Sequence, residues 1–118
     1  MARVLIIDDS SFMRKRIGSV IKEAGHEIAG TARDGAEGCE LYYSLKPDLV
    51  IMDVTMRGMD GIKAAEMIRK SDPDARIVFM SLVTDPGVIS KADALGAIAF
   101  LGKNDSDRLC TIMSSLET

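Results

Sequence analysis

Three acidic residues, a serine and a lysine in this chain could together handle a phosphoryl group. Asp8-Asp9 and Asp53 each follow an apolar run, Ser81 closes a third run, and Lys103 lies just beyond a fourth. Carboxylates placed close together repel one another unless a cation compensates them. Mg²⁺ suits such a site, because it binds one or two carboxylates and keeps several waters. With such an ion beside it, one aspartate could become a covalent phosphoryl acceptor.

Each of these polar residues, taken alone, has a simpler interpretation. An acid at the end of an apolar run often caps the next helix or lies in a solvated loop. Packing, however, does not require several apolar runs to end in polar groups. The five residues together therefore favour a functional site.

The elements that must position these residues can be read from the apolar pattern. Short apolar runs such as Val4-Leu5-Ile6-Ile7 are typical of strands buried on both faces. They alternate with segments whose apolar residues recur every three or four positions, as in helices. Ser10 or Ser11 is the expected first N-cap, and Gly25 and Gly96 are expected to follow helix ends. The predicted strands cover 3–8, 27–31, 49–53, 77–81 and 98–101, and the predicted helices cover about 11–24, 34–45, 62–70, 86–95 and 106–116.

The order of these elements predicts an α/β fold. Five successive βα units imply a doubly wound five-stranded parallel sheet flanked by five helices. A length of 118 residues leaves room for one domain, which we expect to span 1–118. Ligands of such sheets bind outside the carboxyl ends of the strands. All five polar residues would meet at that edge.

Composition and charge narrow the functional classes. The net charge is −3 and the basic residues are scattered, which disfavours direct binding of nucleic acid. No apolar run approaches the ~18–20 residues of a membrane-spanning helix, and the N-terminus lacks a signal-peptide pattern, so we expect a cytoplasmic protein. Cys39 and Cys110 are expected to be reduced and structural, and His26 is not expected to be a ligand or base. The eight methionines are expected to fill the core.

The chain resembles response-regulator receiver domains over nearly its whole length, particularly the single-domain members of the chemotaxis type. The resemblance implies a flavodoxin-like (βα)5 fold. Its most specific part is the third strand with the loop that follows. The similar segments are Val4-Leu5-Ile6-Ile7-Asp8-Asp9-Ser10, Asp48-Leu49-Val50-Ile51-Met52-Asp53, Met59-Asp60-Gly61 and Phe100-Leu101-Gly102-Lys103.

The resemblance implies a phosphorylation site and a magnesium site. Asp53 matches the position of the phosphoacceptor. Asp8 and Asp9 match the acidic pair that holds Mg²⁺ together with Asp53, with Asp9 as the more direct ligand and Asp8 acting more through water. Thr55 matches the position whose backbone carbonyl completes the metal site.

Three further positions match the residues that respond to phosphorylation in this family. Ser81 matches the switch hydroxyl, which hydrogen-bonds a phosphoryl oxygen. Lys103 matches the lysine that pairs with the acceptor. Phe100 matches the switch aromatic, whose rotamer is coupled to phosphorylation. An ordinary role for Phe100 as a core aromatic is the alternative.

Three residues depart from the family pattern. Arg57 and Asn104 stand where proline is usual, and the second of those prolines often follows a cis bond. A non-proline cis bond costs ~3–4 kcal/mol, so we expect a trans bond between Lys103 and Asn104. Leu82 replaces a small residue directly after the switch hydroxyl. We expect its bulk to slow phosphorylation by small donors and to prolong the life of the phosphoryl group.

The implied function is that of a stand-alone response regulator. A histidine kinase would phosphorylate Asp53, and the altered surface would bind a target, with no enzymatic role in metabolism. No linker or DNA-binding domain follows Thr118, so we expect the output to pass through another protein. The flagellar motor switch of chemotaxis and another phosphorelay both remain open. A degenerate receiver that only binds proteins, and a small Mg²⁺-dependent phosphatase with an aspartyl intermediate, are the alternatives.

Overall fold

Five parallel strands form one central sheet in the computed structural model, which describes residues 1–82 and 85–115. The sheet order is β2-β1-β3-β4-β5, and each neighbouring pair is parallel. The predicted doubly wound α/β fold is therefore confirmed. The elements are β1 (Arg3–Ile7), α1 (Ser11–Glu23), β2 (Glu27–Ala32), α2 (Gly35–Leu45), β3 (Leu49–Asp53), α3 (Gly61–Ser71), β4 (Ile77–Ser81), α4 (Pro86–Ala94), β5 (Ala99–Gly102) and α5 (Ser106–Ser115).

The described element boundaries differ from the predicted ones by at most one residue. Asp8 lies beyond β1, because its carboxylate accepts a hydrogen bond from the amide of Ser10 and turns the chain toward α1. Strand β2 continues to Ala32, which pairs with Ile7. Ile98 precedes β5 and is exposed. The predicted end of the last helix at Leu116 lies outside the described residues.

Side-chain caps and glycines set the helix ends. Ser10, Asp34, Asp60 and Asp85 each accept a hydrogen bond from an amide in the first turn of α1, α2, α3 and α4 respectively. Gly25 and Gly96 follow two of the helix ends with φ of 84° and 80°. Such left-handed backbone favours glycine, as predicted for both positions.

The core lies on both faces of the sheet. On one face, apolar residues of α2, α3 and α4 cover β3 and β4, and on the other, residues of α1 and α5 do so. Met13, Met52, Met56, Met80 and Met113 are buried, which confirms the predicted core role for five of the eight methionines, whereas Met1 and Met67 are exposed. None of the helices in the described part of the chain is long and apolar enough to span a membrane.

The two cysteines and the single histidine do not lie at the strand ends. Cys39 is buried, as a structural cysteine should be, whereas Cys110 is exposed on α5, and both are free thiols. Nδ1 of His26 accepts a hydrogen bond from the amide of Ala2 (2.8 Å), and Nε2 lies 2.7 Å from the carbonyl oxygen of Met113. The proton must therefore be on Nε2. His26 thus ties the start of β1 to α5.

Candidate functional site

The carboxyl ends of β1, β3 and β4 bring the predicted polar residues together. Asp8, Asp53 and Ser81 are 1%, 3% and 2% exposed, and Lys103 just beyond β5 is 6% exposed. Asp9 is exposed at the rim of the same cluster. One carboxylate oxygen from each of Asp8, Asp9 and Asp53 lies within 4.8 Å of the others. The predicted convergence of acids at one sheet edge is therefore observed.

Lys103 supplies the positive charge inside this acidic cluster. Its Nζ lies 3.0 Å from Oδ2 of Asp8 and 3.1 Å from Oδ2 of Asp53. Its amide donates to the carbonyl oxygen of Ser81 (2.9 Å), which fixes the end of β5 against β4. The bond between Lys103 and Asn104 is trans, as predicted. Burial lowers the pKa of this ammonium, but the two carboxylates outweigh that effect and raise it, so the group stays charged.

Asp8 is held in place by contacts on three sides. Its Oδ1 accepts from the amide of Ser10 (2.9 Å) and from Nζ of Lys103 (3.3 Å). Its amide donates to the carbonyl oxygen of Ala32 (3.0 Å), and its own carbonyl oxygen accepts from Nη1 of Arg14 (2.7 Å). No pattern in the sequence singles out Arg14, since a basic residue on an amphipathic helix is ordinarily solvated.

The oxygen atoms of this cluster fit a hard divalent cation. Oδ2 of Asp8 and Oδ2 of Asp53 are buried, and the partner that the described part of the chain gives to both is the single ammonium of Lys103. Two buried carboxylates that share one ammonium keep a net negative charge, which a bound cation can compensate. The exposed carboxylate of Asp9 would complete the set, which contains only oxygen ligands, as Mg²⁺ prefers.

The electrostatic environment of Asp53 reflects this crowding. Burial, followed by the charge of Asp8 and less strongly that of Asp9, raises the pKa of Asp53 to about 6, although Lys103 opposes the shift. A carboxyl group in this state titrates just below neutral pH. A bound cation would favour the ionised form.

Replacing Asp53 with asparagine should stabilise the protein at neutral pH without divalent ions. The folded-state pKa of Asp53 exceeds the ordinary aspartate value of 3.8, so the folded protein retains the proton longer and loses stability as pH rises from about 4 to about 6. Asparagine removes this loss. We therefore expect the free energy of unfolding to rise by about 2 kcal/mol at pH 7, and this gain to vanish near pH 4. Urea unfolding in a chelator across this range measures it, and a gain that does not change with pH would contradict the assignment.

The loop after β3 contains both the predicted carbonyl ligand and a close backbone contact. Thr55 is exposed, as are Arg57 and Gly58, the latter with φ of 76°. The amide of Gly61 donates to the carbonyl oxygen of Val54 (2.7 Å), which draws the first turn of α3 against the end of β3. Gly61 was predicted only as part of a loop, because its role depends on a distance between elements.

The remaining predicted residues surround the cluster. Ser81 is buried at the end of β4, and Leu82 beside it is 76% exposed, so its side chain lies outside the core. Phe100 is half-buried, with its ring centroid 6.0 Å from that of Phe79. This position makes Phe100 a boundary residue between core and surface.

Comparisons with known proteins agree with this geometry. The family model of the response regulator receiver domain matches residues 4–114. The chemotaxis protein CheY of Thermotoga maritima is 45% identical over 101 residues, covering 86% of this chain and 84% of its own length. CheY of Bacillus subtilis is 40% identical over 101 residues with the same coverage.

Similarity extends to a larger protein and to a solved structure. A protein-glutamate methylesterase/protein-glutamine glutaminase of Geobacter sulfurreducens is 44% identical over 108 residues, which are 89% of this chain and 30% of that protein. A chain of the CheX-CheY-BeF3-Mg²⁺ complex from Borrelia burgdorferi matches with a TM-score of 0.91 at 31% identity, covering 98% of this chain and 90% of that one. The family match over most of the chain leads to one conclusion: the protein belongs to the response regulator receiver domain family.

Proposed function

We propose that this receiver domain accepts a phosphoryl group on Asp53 from a phosphohistidine of a partner kinase, in a reaction that requires Mg²⁺. The observation that carries the proposal is the buried carboxylate of Asp53, which lies 3.1 Å from Nζ of Lys103 within a cluster of three acids. The solved complex from Borrelia burgdorferi described above contains CheX, CheY, BeF3 and Mg²⁺. That composition supports the same ligand class for this site.

The residues of the cluster have distinct roles in the proposed reaction. A carboxylate oxygen of Asp53 attacks phosphorus in line, the new P–O bond forms as the P–N bond to histidine breaks, and the imidazole leaves with its electron pair. Lys103 pairs with the transferred group. Asp8, Asp9, Asp53 and the carbonyl oxygen of Thr55 would hold Mg²⁺, which supplies charge neutralisation at the phosphoryl oxygens.

Phosphorylation would then change the surface of the domain. The added negative charge and its acceptor oxygens attract the hydroxyl of Ser81, which lies at the adjacent strand end. Its movement makes room for Phe100, which already lies at the edge of the core, and shifts a two-state equilibrium. The new surface binds a target protein. The domain thus takes part in its own phosphorylation and hydrolysis but works as a signalling switch, not as a metabolic enzyme.

The relatives support a proposal for the pathway. Several similar proteins are chemotaxis proteins, so we propose a two-component system whose target is a signalling protein such as the flagellar motor switch. Asp53 would be the point at which the kinase signal enters. The face formed by α4, β5 and α5 would carry it onward.

Phosphoryl incorporation tests this function directly. After incubation with a phosphohistidine kinase and Mg²⁺, intact-mass spectrometry should show one added phosphoryl group, which maps to Asp53. The Asp53→Asn variant and a sample with excess chelator should show none. A receiver that only binds proteins would remain unmodified under all these conditions, and that result would refute the proposal.

Leu82 is expected to slow both the phosphorylation of Asp53 by small donors and its dephosphorylation. Its exposed side chain directly follows Ser81, so it can obstruct small donors and the water that hydrolyses the phosphoryl group. Leu82→Ala should raise both the rate of phosphorylation by acetyl phosphate and the rate of dephosphorylation by about threefold to tenfold, or ~0.7–1.4 kcal/mol in each barrier. Ile98→Ala, another exposed apolar residue, is the matched control. Unchanged rates in Leu82→Ala would show that the side chain does not obstruct the site.

A further inference from the structure

Helix α1 and the edge strand β2 enclose a basic groove that the phosphorylation site does not use. The groove has a volume of about 570 Å³, and Arg14, Lys15 and Lys22 contribute its charges. These residues are spaced along α1 so that they share one side of the helix. Asp and Glu are absent from its described lining. Three cations therefore face one cleft in a chain whose net charge is −3.

The groove is also shaped to receive a ligand. Gly18 lies midway along this side of α1, and a Cβ there would lie 3.0 Å from Cδ1 of Ile28 on β2. The missing side chain lets Ile28 pack directly against α1, where Ile28 forms an apolar wall of the cleft. Ser11 and Thr31 add hydroxyl groups that can donate to an anion. The lining thus combines cations, hydroxyl donors and an apolar contact.

We propose that this α1–β2 groove is a docking site for a short acidic segment of a partner protein. Carboxylates of the segment would pair with Lys15 and Lys22, and an apolar side chain would contact Ile28. A long polyanion such as duplex DNA fits less well, because it would extend beyond the groove over a chain of net negative charge. Charge interactions decay within ~8–10 Å at moderate salt, so a short segment feels mainly the groove.

Arg14 links the groove to the acidic cluster. Arg14 lines the groove, and its guanidinium donates from Nη1 to the carbonyl oxygen of Asp8 at 2.7 Å. A carboxylate bound beside Arg14 competes for this guanidinium and perturbs the backbone at Asp8. Docking should therefore be detected at Asp8 even though the peptide does not touch it.

Amide NMR with an Asp- and Glu-rich peptide as the probe tests the docking. The protein is kept free of phosphoryl donors and Mg²⁺, so that the result does not depend on the proposed phosphorylation. Peptide titration should shift the amides of 11–22 and 28–31. The Lys15→Glu/Lys22→Glu double variant should weaken binding at least about tenfold. The matched control is Lys63→Glu/Lys70→Glu, which makes the same charge change on exposed residues of α3.

Several outcomes would overturn the proposal. They are no binding by the wild type at low salt, equal weakening in the control variant, shifts that leave 11–22 and 28–31 unaffected, or tighter binding of duplex DNA than of the peptide. The link through Arg14 has its own test, made at saturating peptide. The amides of Asp8 and Asp9 should shift in the wild type but not in Arg14→Gln, and equal shifts in both would refute the link.

Discussion

Replacing Lys103 with methionine should lower the free energy of unfolding by about 3–5 kcal/mol at neutral pH without divalent ions. Methionine preserves most of the length and packing of the side chain but removes the ammonium group. Oδ2 of Asp8 and Oδ2 of Asp53 then lose the cation that lies 3.0 Å and 3.1 Å away. Since both carboxylates are almost fully buried, water cannot replace it. Urea unfolding in a chelator measures the loss.

The loss in Lys103→Met should depend on pH in a defined direction. Without the ammonium, the pKa of Asp53 should rise further above its value of about 6 in the unaltered protein. Because the folded variant takes up its proton at a pKa above 6, the deficit should shrink as pH falls toward about 6 and stay constant below it, where the unaltered protein also protonates Asp53. Saturating Mg²⁺ should also reduce the deficit, because the proposed ion binds the acids more tightly when the competing ammonium is absent.

Two variants separate this effect from a general loss of charge or packing. Lys63→Met alters an exposed lysine of α3 and should change stability by no more than about 0.5 kcal/mol. Adding Asp53→Asn to Lys103→Met should recover part of the loss, because one of the two stranded carboxylates is removed. A cost below about 1 kcal/mol for Lys103→Met would show that the ammonium does not stabilise the cluster.

The site residues could be predicted because a parallel sheet converts sequence position into spatial position. A continuously apolar strand such as β3 ends where its first polar residue appears, here Asp53. Parallel strands place all such ends at one edge, so Asp8, Asp53 and Ser81 had to converge once the βα order was recognised. The resemblance to receiver domains then added the roles of the individual residues.

Other features depend on distances between elements that no local pattern encodes. The contact from Arg14 to the carbonyl oxygen of Asp8 requires the relative orientation of α1 and β1. The two hydrogen bonds of His26 join residues 24 and 87 positions away in the chain. Helix α3 begins at Gly61, one residue earlier than predicted, because Asp60 caps the helix and does not only form a turn.

Gly61→Ala is the second substitution expected to have a large effect. It should lower the free energy of unfolding by about 3 kcal/mol or more. A Cβ at position 61 would overlap the carbonyl oxygen of Asp53 and lie 3.0 Å from Cγ of Met52. The overlapped atom belongs to the backbone, so a change of rotamer cannot relieve the contact. The hydrogen bond from Gly61 to the carbonyl oxygen of Val54 (2.7 Å) holds the same segment in place.

The expected loss in Gly61→Ala comes from a steric overlap and not from an unfavourable backbone conformation. Two other glycines can therefore serve as controls. Gly102 has open space around its Cβ position and no positive φ, so Gly102→Ala at the end of β5 should be tolerated. Gly58 also has room but a φ of 76°, so Gly58→Ala should cost only the ~1–2 kcal/mol of left-handed backbone. In the expected order, the urea midpoint is highest for Gly102→Ala, lower for Gly58→Ala and lowest for Gly61→Ala. Equal midpoints for Gly61→Ala and Gly102→Ala would contradict it, because α3 could then withdraw from β3 at no cost.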